Sequence, residues 1–567
     1  LSNSSTSSSA SMVATWVGLV LIFFYIALNA KVDCERVKEL RACWRSDLNY
    51  LYLTDTKCPE TVLSNEVARA RFEEATHSVG WSFLEIETRK YASNEQQAYA
   101  AGVLEGKLTQ SLILKHWKNT IAGYCYTAGP YCDALYAYLD ENLKFMRRQI
   151  ALYPGDPFWV QVNLMLIQLA GLEDGYYGTI TVPHVDIRPF GFLLFQLFGD
   201  LADLEAKLKR PEHLPKLRFG CSALIVPIPE KQELFFSHVT WTGYQTMLRI
   251  QKLYKFTYHL NRGYSLVPGY GISMSSYPGV LLSIDDFYIT TAGIAVTETT
   301  FSNGNKSSYD YIDSKSTVLS WIRVMVANRL AHSAKHWTMI YSKLHSGTYT
   351  NQWMIVDYNN IPSDMKTFSY TDVLYVMEEM PGYFEAKDMT RVLYTQGYWP
   401  SYNIPYFPTI FNITGTADEV KLYGDWFTYD KHPRALIFKR DWHSVVDLES
   451  LLRLMRYNDF KKDPLSACNC TPPYSAENAI SARNDLNDKN GIYPFKALGF
   501  RSHGGTDVKA TNVEMALRLQ FVAISGPTYD TQPPFQWSKT EWQNKISHFG
   551  HPDLFAFPPV THKWKSI

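Results

Sequence analysis

The spacing of apolar residues changes at a charged, proline-bearing segment between residues 207 and 218. Before that segment, apolar side chains recur three and four positions apart among good helix formers, which predicts helices. After it, short apolar runs end at turn residues, a pattern typical of strands. A chain that contains both patterns is expected to form a layered body of sheets and helices, so the sequence predicts an α+β protein.

The helical pattern covers residues 62–116, 133–150 and 159–172, and it is clearest in Glu66–Ala75 and Glu95–His116. The strand pattern covers residues 224–229, 280–284, 287–291 and 352–358. Helices at residues 244–260 and 320–334 are predicted to interrupt these strands. The N-terminal part is therefore expected to be largely helical to about residue 210.

An apolar segment near the N-terminus, residues 12–30, contains no charged residue. Its core, Trp16–Leu28, is shorter than the roughly 20 apolar residues that a membrane-spanning helix needs. The small residues at its end suit cleavage, so residues 12–30 are predicted to be a signal peptide. Residues 1–11, before Met12, are expected to be upstream sequence. A signal anchor stays the alternative, because the segment has no basic region before it.

The predicted signal peptide would place the eight cysteines in an oxidising compartment, where thiols that lie close together tend to form disulfides. Cys125 and Cys132 flank a turn-rich loop and are predicted to form a disulfide. Cys468 and Cys470 are separated by one residue, so a direct bond would close a strained ring, and other partners stay open. A further group, whose pairing the spacing does not decide, consists of Cys34, Cys43 and Cys58.

The charges of the chain are balanced, with 55 basic and 55 acidic residues. Because electrostatic capture of nucleic acid needs a basic surplus or a basic face, no nucleic-acid partner is expected. Three sequons predict N-glycosylation, which agrees with a luminal or secreted chain, at Asn305, Asn412 and Asn469.

Several common catalytic motifs are missing from the sequence, namely G-x-S-x-G, the P-loop, a complete G-x-G-x-x-G and H-E-x-x-H. His548 and His551 are interpreted as ordinary surface or core histidines. Asp285 and Asp286 are interpreted as carboxylates of a turn at the end of a strand. We therefore expect neither a bound metal nor a cofactor.

Cys221 is far from every other cysteine in the sequence and stands between Gly220 and an apolar run. If the peptide bond before Cys221 were cut, its own α-amine, which titrates near ~7.7–8.0, would be available as a base for its thiol. Gly220 permits the distorted backbone that attack on the preceding carbonyl demands. From these residues alone, a buried structural cysteine at the start of a strand is the favoured interpretation.

Many separated stretches, in order along the chain, carry a family resemblance that changes this interpretation. They are His77–Trp81, Tyr99–Gly106, Cys221–Ser222, Ser276–Gly279, Asp285–Tyr288, Glu298–Thr300, Asn351–Asp357, Tyr402–Tyr406, Ser475–Asp485 and Ser502–Asp507. Through them the chain resembles the phospholipase B-like family of the N-terminal-nucleophile (Ntn) hydrolase superfamily. The resemblance extends over nearly the whole chain after the predicted signal peptide.

The resemblance implies a four-layer αββα sandwich of the Ntn-hydrolase type, with a largely helical N-terminal portion. It also implies self-cleavage between Gly220 and Cys221. The products would be an N-terminal fragment, residues 31–220, and a C-terminal Ntn-hydrolase fragment, residues 221–567, which stay associated. The implied location is the lysosomal lumen or the extracellular space.

The resemblance also implies a set of site residues around the thiol of Cys221. His238 would orient or polarise the thiol, and Trp241 would shape the acyl pocket. Asn403 would be the oxyanion donor, because a side-chain amide can meet the charge that develops on the acyl oxygen. An arginine would fix the site or bind a substrate phosphate or carboxylate. Arg434 is favoured for this role over Arg440.

The function implied by the resemblance is acyl hydrolysis that removes fatty acyl chains from phospholipids through a cysteinyl thioester. An N-acyl amidase or peptide amidase with the same mechanism is the first alternative, because a fold does not determine its substrate. A non-catalytic luminal lipid-binding protein is the second. The expected partners are a lipid or N-acyl substrate and, peripherally, a lipid surface; the oligomeric state is left open.

Overall fold

The computed structural model of the chain describes residues 37–59, 64–213, 220–260 and 265–565. The predicted signal peptide, Cys34 and the end of the charged segment before Phe219 lie outside these described residues. Within the described ranges, no helix combines the length and the apolar character that crossing a bilayer requires.

The strands in the described residues are β1 (Val37–Arg45), β2 (Tyr50–Thr54), β3 (Ser64–Glu73), β4 (Ser82–Thr88), β5 (Gly220–Ile228), β6 (Glu233–Gly243), β7 (Ile250–Lys255), β8 (Gly271–Ser276), β9 (Phe287–Thr290), β10 (Ile294–Thr300), β11 (Asn351–Asp357), β12 (Leu374–Met380), β13 (Tyr383–Asp388), β14 (Trp399–Ser401), β15 (His503–Gly505), β16 (Asp507–Thr511), β17 (Val522–Ser525), β18 (Phe535–Gln536), β19 (Leu554–Phe555) and β20 (Val560–Thr561). The α-helices described are α1 (Thr76–Val79), α2 (Asn94–Leu108), α3 (Gln110–Thr120), α4 (Gly129–Leu152), α5 (Pro157–Tyr177), α6 (Phe192–Gln196), α7 (Phe198–Lys207), α8 (Ser320–Leu330), α9 (Ala334–Tyr341), α10 (Thr390–Gln396), α11 (Pro408–Ile413), α12 (Thr416–Tyr423), α13 (Pro433–Asp441), α14 (Leu448–Met455) and α15 (Val513–Leu517).

Two large sheets organise the described part of the chain. The first has eleven strands in the order β13-β12-β11-β10-β9-β8-β7-β4-β3-β1-β2. The second has the order β14-β5-β6-β16-β17-β20, and β15 also pairs with β6. In the first sheet, β4 and β7 are parallel neighbours, with Ser82 opposite Ile250. Since β4 precedes Gly220 and β7 follows it, hydrogen bonds within one sheet join the two parts of the chain.

The two sheets enclose a shared hydrophobic core. Ala223, Ile225 and Phe236 of the second sheet pack there with Phe287 and Met354 of the first sheet. The opposite face of the first sheet packs against α2, α4, α5 and α8. The opposite face of the second sheet packs against α13 and α14. The protein is therefore a mixed α+β fold with large sheets and many helices, as predicted.

Most of the predicted helices and strands are confirmed, but four segments are wrong, one of which is residues 82–88, predicted as helical but forming β4. Residues 66–75, predicted as a helix, belong largely to β3, in which Ala68, Ala70 and Phe72 are buried and the charged residues between them are less so. The predicted helix at 244–260 contains β7, and the predicted strand at 280–284 has no regular structure. In β3, pairing with two neighbouring strands overrides the helix propensity of alanine, arginine and glutamate. The N-terminal part therefore begins with four strands and becomes helical only from Asn94.

Three disulfides are present among the described cysteines. Cys125 and Cys132 are bonded, which confirms the prediction. Cys468 and Cys470 are bonded directly to each other, although the sequence had left other partners open. Cys43 pairs with Cys58. Disulfides of this number are compatible with a luminal or secreted location.

The predicted glycosylation sites differ in accessibility. Asn412 and Asn469 are exposed. Asn305 is half-buried, and its side-chain amide donates a hydrogen bond to the carbonyl oxygen of Ile413 at 3.0 Å. Glycosylation at the three positions stays a prediction.

Candidate functional site

Cys221 is the second residue of β5 and is buried, with 2% of its surface exposed. Of the described cysteines, it is the one outside a disulfide. It lies opposite Thr240 of β6, and the next inward pair along the two strands is Ala223 and His238. Residues that lie opposite each other in an antiparallel pair share a face of the sheet. Because Ala223 packs in the core between the sheets, Cys221 and His238 are assigned to that inner face.

The other face of the same two strands points away from the first sheet. Leu224, Val239 and Trp241 pack there with α13 and α14. Trp241 is opposite Gly220, so the residue just before the cysteine also belongs to this outer face. The peptide bond between Gly220 and Cys221 therefore stands where the inner and the outer faces meet.

The backbone of Cys221 is held on both sides by side chains from distant parts of the chain. Its N–H donates to Asn403 Oδ1 at 3.1 Å. Its carbonyl oxygen accepts a hydrogen bond from Arg434 Nη1 at 2.5 Å. The same Arg434 donates from Nη2 to the carbonyl oxygen of Tyr402 at 2.7 Å, next to Asn403 in sequence. The structure thus brings Asn403 and Arg434 to Cys221, as the resemblance implied.

Arg434, and not Arg440, is the arginine beside Cys221. Arg434 is buried at the start of α13, and its guanidinium lies 4.2 Å from the centre of the Trp241 ring. Burial lowers the pKa of Arg434 to about 10. Arg440, near the end of the same helix, is largely exposed and pairs with Asp441 and Asp463.

Both polar atoms of the Asn403 side-chain amide form a hydrogen bond in the intact chain. While Oδ1 accepts from Cys221, Nδ2 donates to the carbonyl oxygen of Thr300. Asn403 has a left-handed backbone (φ 68°), which asparagine tolerates better than most residues. This geometry orients the backbone nitrogen of Cys221. The oxyanion role of Asn403 stays a prediction; Nδ2 has a second N–H besides the one that bonds Thr300, and that N–H would be the donor.

His238 is fully buried, and neither ring nitrogen has a hydrogen-bond partner among the described residues. Burial, reinforced by the positive charge of Lys509, lowers the pKa of His238 well below its ordinary value. Burial therefore favours the neutral form of the His238 imidazole. An unpartnered polar ring in a core is uncommon and calls for a ligand or a water molecule.

Glu298 of β10 is a site residue that the sequence analysis quoted but to which it gave no role. Its Oε1 lies 3.9 Å from Cys221 Sγ, and its Oε2 accepts a hydrogen bond from Thr300 Oγ1 at 3.0 Å. Burial raises the pKa of the Cys221 thiol well above its ordinary value, and Glu298 adds to this shift. Burial and the nearby Asp286 raise the pKa of Glu298 itself. Glu, Thr and Thr at the end of an otherwise apolar strand were the signal for this position.

A buried network of charges lies behind the thiol. Lys509 Nζ is 2.8 Å from Asp507 Oδ2 and donates to Thr240 Oγ1 at 2.6 Å. Arg249 pairs with Asp507 and with Asp285. Burial lowers the pKa of Lys509 to about 8. Although burial alone would raise it, the charges of Lys509 and Arg249 hold the pKa of Asp507 at about 2.

The sequence analysis missed this network. Asp285 was interpreted as a carboxylate of a turn, but it is fully buried and paired with Arg249. Asp507 and Lys509 are two residues apart in β16, and β16 pairs with β6. Two charged residues at alternate positions of a strand indicate one polar face, and this was the available signal. His551, as interpreted, is a buried histidine that contacts Asn119 at 3.3 Å.

A cavity of about 440 Å³ opens at the start of β5. Its wall includes Gly220, Trp241, Asn403 and Arg434, so these site residues meet there. Aromatic residues provide much of the remaining wall: Phe301, Tyr309, Tyr349, Tyr402, Trp426 and Phe427. Charged residues also contribute: Asp203, Glu205, Glu419, Glu477 and Arg501. This size and mixture are typical of small-molecule sites.

Three side chains near the thiol have the chemistry of metal ligands. One ligand atom each of Cys221, His238 and Glu298 lies within 4.8 Å of the other two. These residues come from three strands and two sheets, so their grouping was not visible in the sequence.

Comparison with known proteins agrees with the resemblance. The Phospholipase B family profile matches residues 68–562. Phospholipase B-like 2 of Rattus norvegicus is 47% identical over 509 residues, which cover 88% of this chain and 86% of that protein. Phospholipase B-like 2 of Homo sapiens is 46% identical over 525 residues, covering 91% and 88%. Phospholipase B-like 1 of Caenorhabditis elegans is 42% identical over 558 residues, covering 96% of both.

Proposed function

This chain belongs to the phospholipase B family, and we propose that it removes acyl chains from phospholipids with Cys221 as an N-terminal nucleophile. In this proposal the peptide bond between Gly220 and Cys221 is cut first, by the chain itself. The observation that supports it best is the position of Cys221. It is a buried, unpaired cysteine whose backbone is clamped by Asn403 and Arg434 at the wall of the cavity.

The proposed cleavage begins with attack of the Cys221 thiol on the carbonyl carbon of Gly220. The bond from that carbon to the Cys221 nitrogen breaks as the new bond to sulfur forms, and the nitrogen takes the thiol proton. Water then hydrolyses the thioester, which leaves a carboxylate on Gly220 and a free α-amine and thiol on Cys221. The hydrogen bonds of Asn403 and Arg434 hold the backbone of Cys221 on both sides during this exchange.

In the proposed reaction, the α-amine of Cys221 takes the thiol proton, and the thiolate attacks the ester carbonyl carbon of the lipid. The ester bond breaks, and the leaving alcohol receives the proton from the amine. Water then attacks the acyl thioester, which releases the fatty acid and restores the thiol. Asn403 Oδ1 is positioned to hold the amine, and the N–H of Asn403 Nδ2 that does not bond Thr300 is the proposed donor to the oxyanion.

The fold and the cavity support the same proposal. The order of helices, first sheet, second sheet and helices agrees with an Ntn-hydrolase sandwich of four layers. The aromatic wall of the cavity suits an acyl chain, and Trp241 would shape the part beside Cys221. After cleavage, the fragments 31–220 and 221–567 would stay joined by the pairing of β4 with β7. The proposed location is the lysosomal lumen or the extracellular space.

The experiment measures the proposed cleavage and the proposed hydrolysis on the same preparation. The secreted protein is purified, and its fragments are sequenced from their N-termini and weighed by mass spectrometry. The same preparation is incubated with a lysophospholipid and with an N-acyl amine between acidic and neutral pH, and free fatty acid is measured. Cys221→Ser and Cys221→Ala are prepared in parallel.

We expect a fragment that begins at Cys221, release of fatty acid from the lysophospholipid, and neither result with Cys221→Ala. Release from the N-acyl amine alone would identify an amidase with the same nucleophile. A cut chain without any release above the two variants would favour a luminal lipid-binding protein. An intact bond between positions 220 and 221 in active protein would overturn the proposed mechanism.

A further inference from the structure

Cys221, His238 and Glu298 form a compact group of ligands in the interior. Their thiol, imidazole and carboxyl atoms lie within 4.8 Å of one another, and all three residues are buried. The distance between Cys221 Sγ and Glu298 Oε1 is 3.9 Å. Both ring nitrogens of His238 lack a hydrogen-bond partner among the described residues. The group thus includes a buried imidazole without a well-formed hydrogen bond among the described residues, although the backbone of Glu298 lies near the ring.

The neighbouring charges leave this group without a counter-ion. The cations nearby are Lys509 and Arg249, and they are taken up by Asp507 and Asp285 in the buried network. Two cations and two carboxylates there balance each other. Because burial disfavours charge on both groups, Cys221 and Glu298 would become thiolate and carboxylate only with a cation bound between them and His238. A divalent cation would balance those two charges and provide a partner for the imidazole.

We propose that Cys221, His238 and Glu298 bind one zinc ion, and that zinc held there blocks the thiol of Cys221. Thiolate, imidazole and carboxylate are the ligands that zinc takes in proteins, and three protein ligands with one open position are typical of zinc sites that are not purely structural. Zinc binds the thiolate form, so binding releases the thiol proton to solvent. After the proposed cleavage, the α-amine of Cys221 is available as a fourth ligand.

Coordination of zinc would require only a small movement of the three side chains. Tetrahedral zinc with bonds of about 2.0–2.3 Å places its ligand atoms roughly 3.3–3.8 Å apart. The ligand atoms in this group are up to 4.8 Å apart, so side-chain rotations that close the group by about 1 Å suffice. The cavity reaches Gly220, the residue next to Cys221.

Zinc at this position is a reversible cap on the nucleophile. A coordinated sulfur cannot attack a carbonyl carbon, so the protein with zinc would neither cut its own chain nor form the acyl thioester. This inhibitory consequence rests on the proposed function, whereas the binding of zinc does not. The two statements can therefore fail separately.

Binding is tested on the purified full-length protein after treatment with a chelator. Zinc chloride is titrated by calorimetry, and the metal content is measured after removal of free zinc. Cobalt(II) is added to a second sample, because a thiolate bound to cobalt gives a charge-transfer absorption. Alkylation of Cys221 by iodoacetamide is followed with and without zinc. We expect one equivalent of zinc, a thiolate–cobalt absorption, and at least a 10-fold slower alkylation with zinc present.

The variants assign the ligands. Cys221→Ser should remove the cobalt absorption, and His238→Asn and Glu298→Gln should each weaken zinc binding by at least about 10-fold. His432→Asn is the matched control, because His432 is also buried with its Nε2 unpartnered among the described residues, but it lies on the cavity wall away from the thiol. Its zinc affinity should equal that of the unchanged protein. Circular dichroism checks that each variant is folded.

The proposal would be overturned if the protein bound less than one equivalent of zinc. It would also be overturned if zinc bound but cobalt gave no thiolate absorption and zinc did not slow the alkylation of Cys221, because the binding would then be adventitious. These two readouts use the unchanged protein, so a variant that fails to fold does not affect them. If zinc binds and protects the thiol but no hydrolysis is found at any zinc level, the site stands and the proposed function falls. If hydrolysis is found and zinc does not slow it, the proposed cap is refuted.

Discussion

The two sides of the β5–β6 strand pair differ in how they hold polar groups. The inner side contains a closed network in which Lys509 and Arg249 are matched by Asp507 and Asp285, all fully buried. The cavity side contains Arg434, which holds backbone carbonyl oxygens and lies over Trp241. On the inner side, the charged side chains form ion pairs with one another. On the cavity side, one guanidinium holds the main chain around the thiol.

This difference indicates a division of work around Cys221. The inner network stabilises the contact between the two sheets. Charges on this side also act on the thiol in opposite directions: Glu298 raises the pKa of the thiol, and Lys509 lowers it. The cavity side positions the peptide bond before Cys221 through Asn403 and Arg434. Changes on the inner side should therefore act first on stability, and changes on the cavity side first on cleavage and substrate.

The largest effect is expected for Asp507→Asn. The change leaves Lys509 and Arg249 with too little negative charge in a buried place, so the free energy of unfolding should fall by about 3–5 kcal/mol. Chemical denaturation measures this loss. Glu514→Gln is the control, because Glu514 pairs with Arg518 on the exposed face of α15 and should cost less than about 0.5 kcal/mol. Equal losses in the two variants would contradict a network that supports the interior.

The second prediction concerns pH. Asp203, on the cavity wall, accepts hydrogen bonds from Thr350, yet burial raises its pKa to about 7. An unfolded aspartate titrates near ~3.9, so between these values only the native state keeps the proton. Stability should therefore fall as pH rises from about 4 to 7, by roughly 3–4 kcal/mol in total.

Asp203→Asn should remove the part of the loss that Asp203 contributes, which denaturation at several pH values measures; Asp286 and Glu378, whose pKa burial also raises to about 7, should keep their parts. The exposed carboxylate of Asp310 serves as the control, and Asp310→Asn should keep the pH dependence of the unchanged protein. Asp507 should show the opposite pH dependence. Its pKa is about 2, so its contribution to the free energy of unfolding is lost only as pH falls from about 4 towards 2. A profile of Asp203→Asn that matches the unchanged protein would sink this prediction.

The third prediction compares two arginines of one helix. Arg434→Lys removes the forked contacts to the carbonyl oxygens of Cys221 and Tyr402 and should cost about 2 kcal/mol of stability. It should also slow the proposed cut before Cys221, measured by the appearance of fragments on a gel. Arg440→Lys, on the exposed part of α13, should change neither by more than a small amount. Cleavage at an unchanged rate in Arg434→Lys would separate this arginine from the proposed chemistry.

The smallest effect is expected for Trp241→Phe. The indole Nε1 donates to the carbonyl oxygen of Ile480 at 3.2 Å, and its loss should cost about 1 kcal/mol. Because Trp241 lines the cavity, KM for a lysophospholipid should rise more than kcat falls. Trp564→Phe loses a comparable hydrogen bond to Leu519, away from the cavity, and should leave KM unchanged. A shift of KM in both variants would point to a general loss of packing.

The regular elements that the sequence predicted correctly are those whose local pattern and tertiary setting agree. The helices from Asn94 to Tyr177 and the strand from Gly220 are examples. The strand β3 was missed because Ala, Arg and Glu favour helices, whereas pairing with β1 and β4 decides the outcome. At the site, the resemblance pointed to Cys221, Asn403 and Arg434. The strand partners of Cys221 and the approach of Glu298 depend on two sheets meeting, and no local pattern contains that information.

The sequence by itself determined the family, the mixture of helices and strands and the Cys125–Cys132 disulfide, because these depend on residue type and on motifs along the chain. Only the tertiary structure decided which arginine reaches Cys221 and that Lys509, Asp507, Arg249 and Asp285 balance one another. The physical reason is separation along the chain. Arg434 and Cys221 are 213 residues apart, and residues that distant meet only when the sheets and helices between them pack.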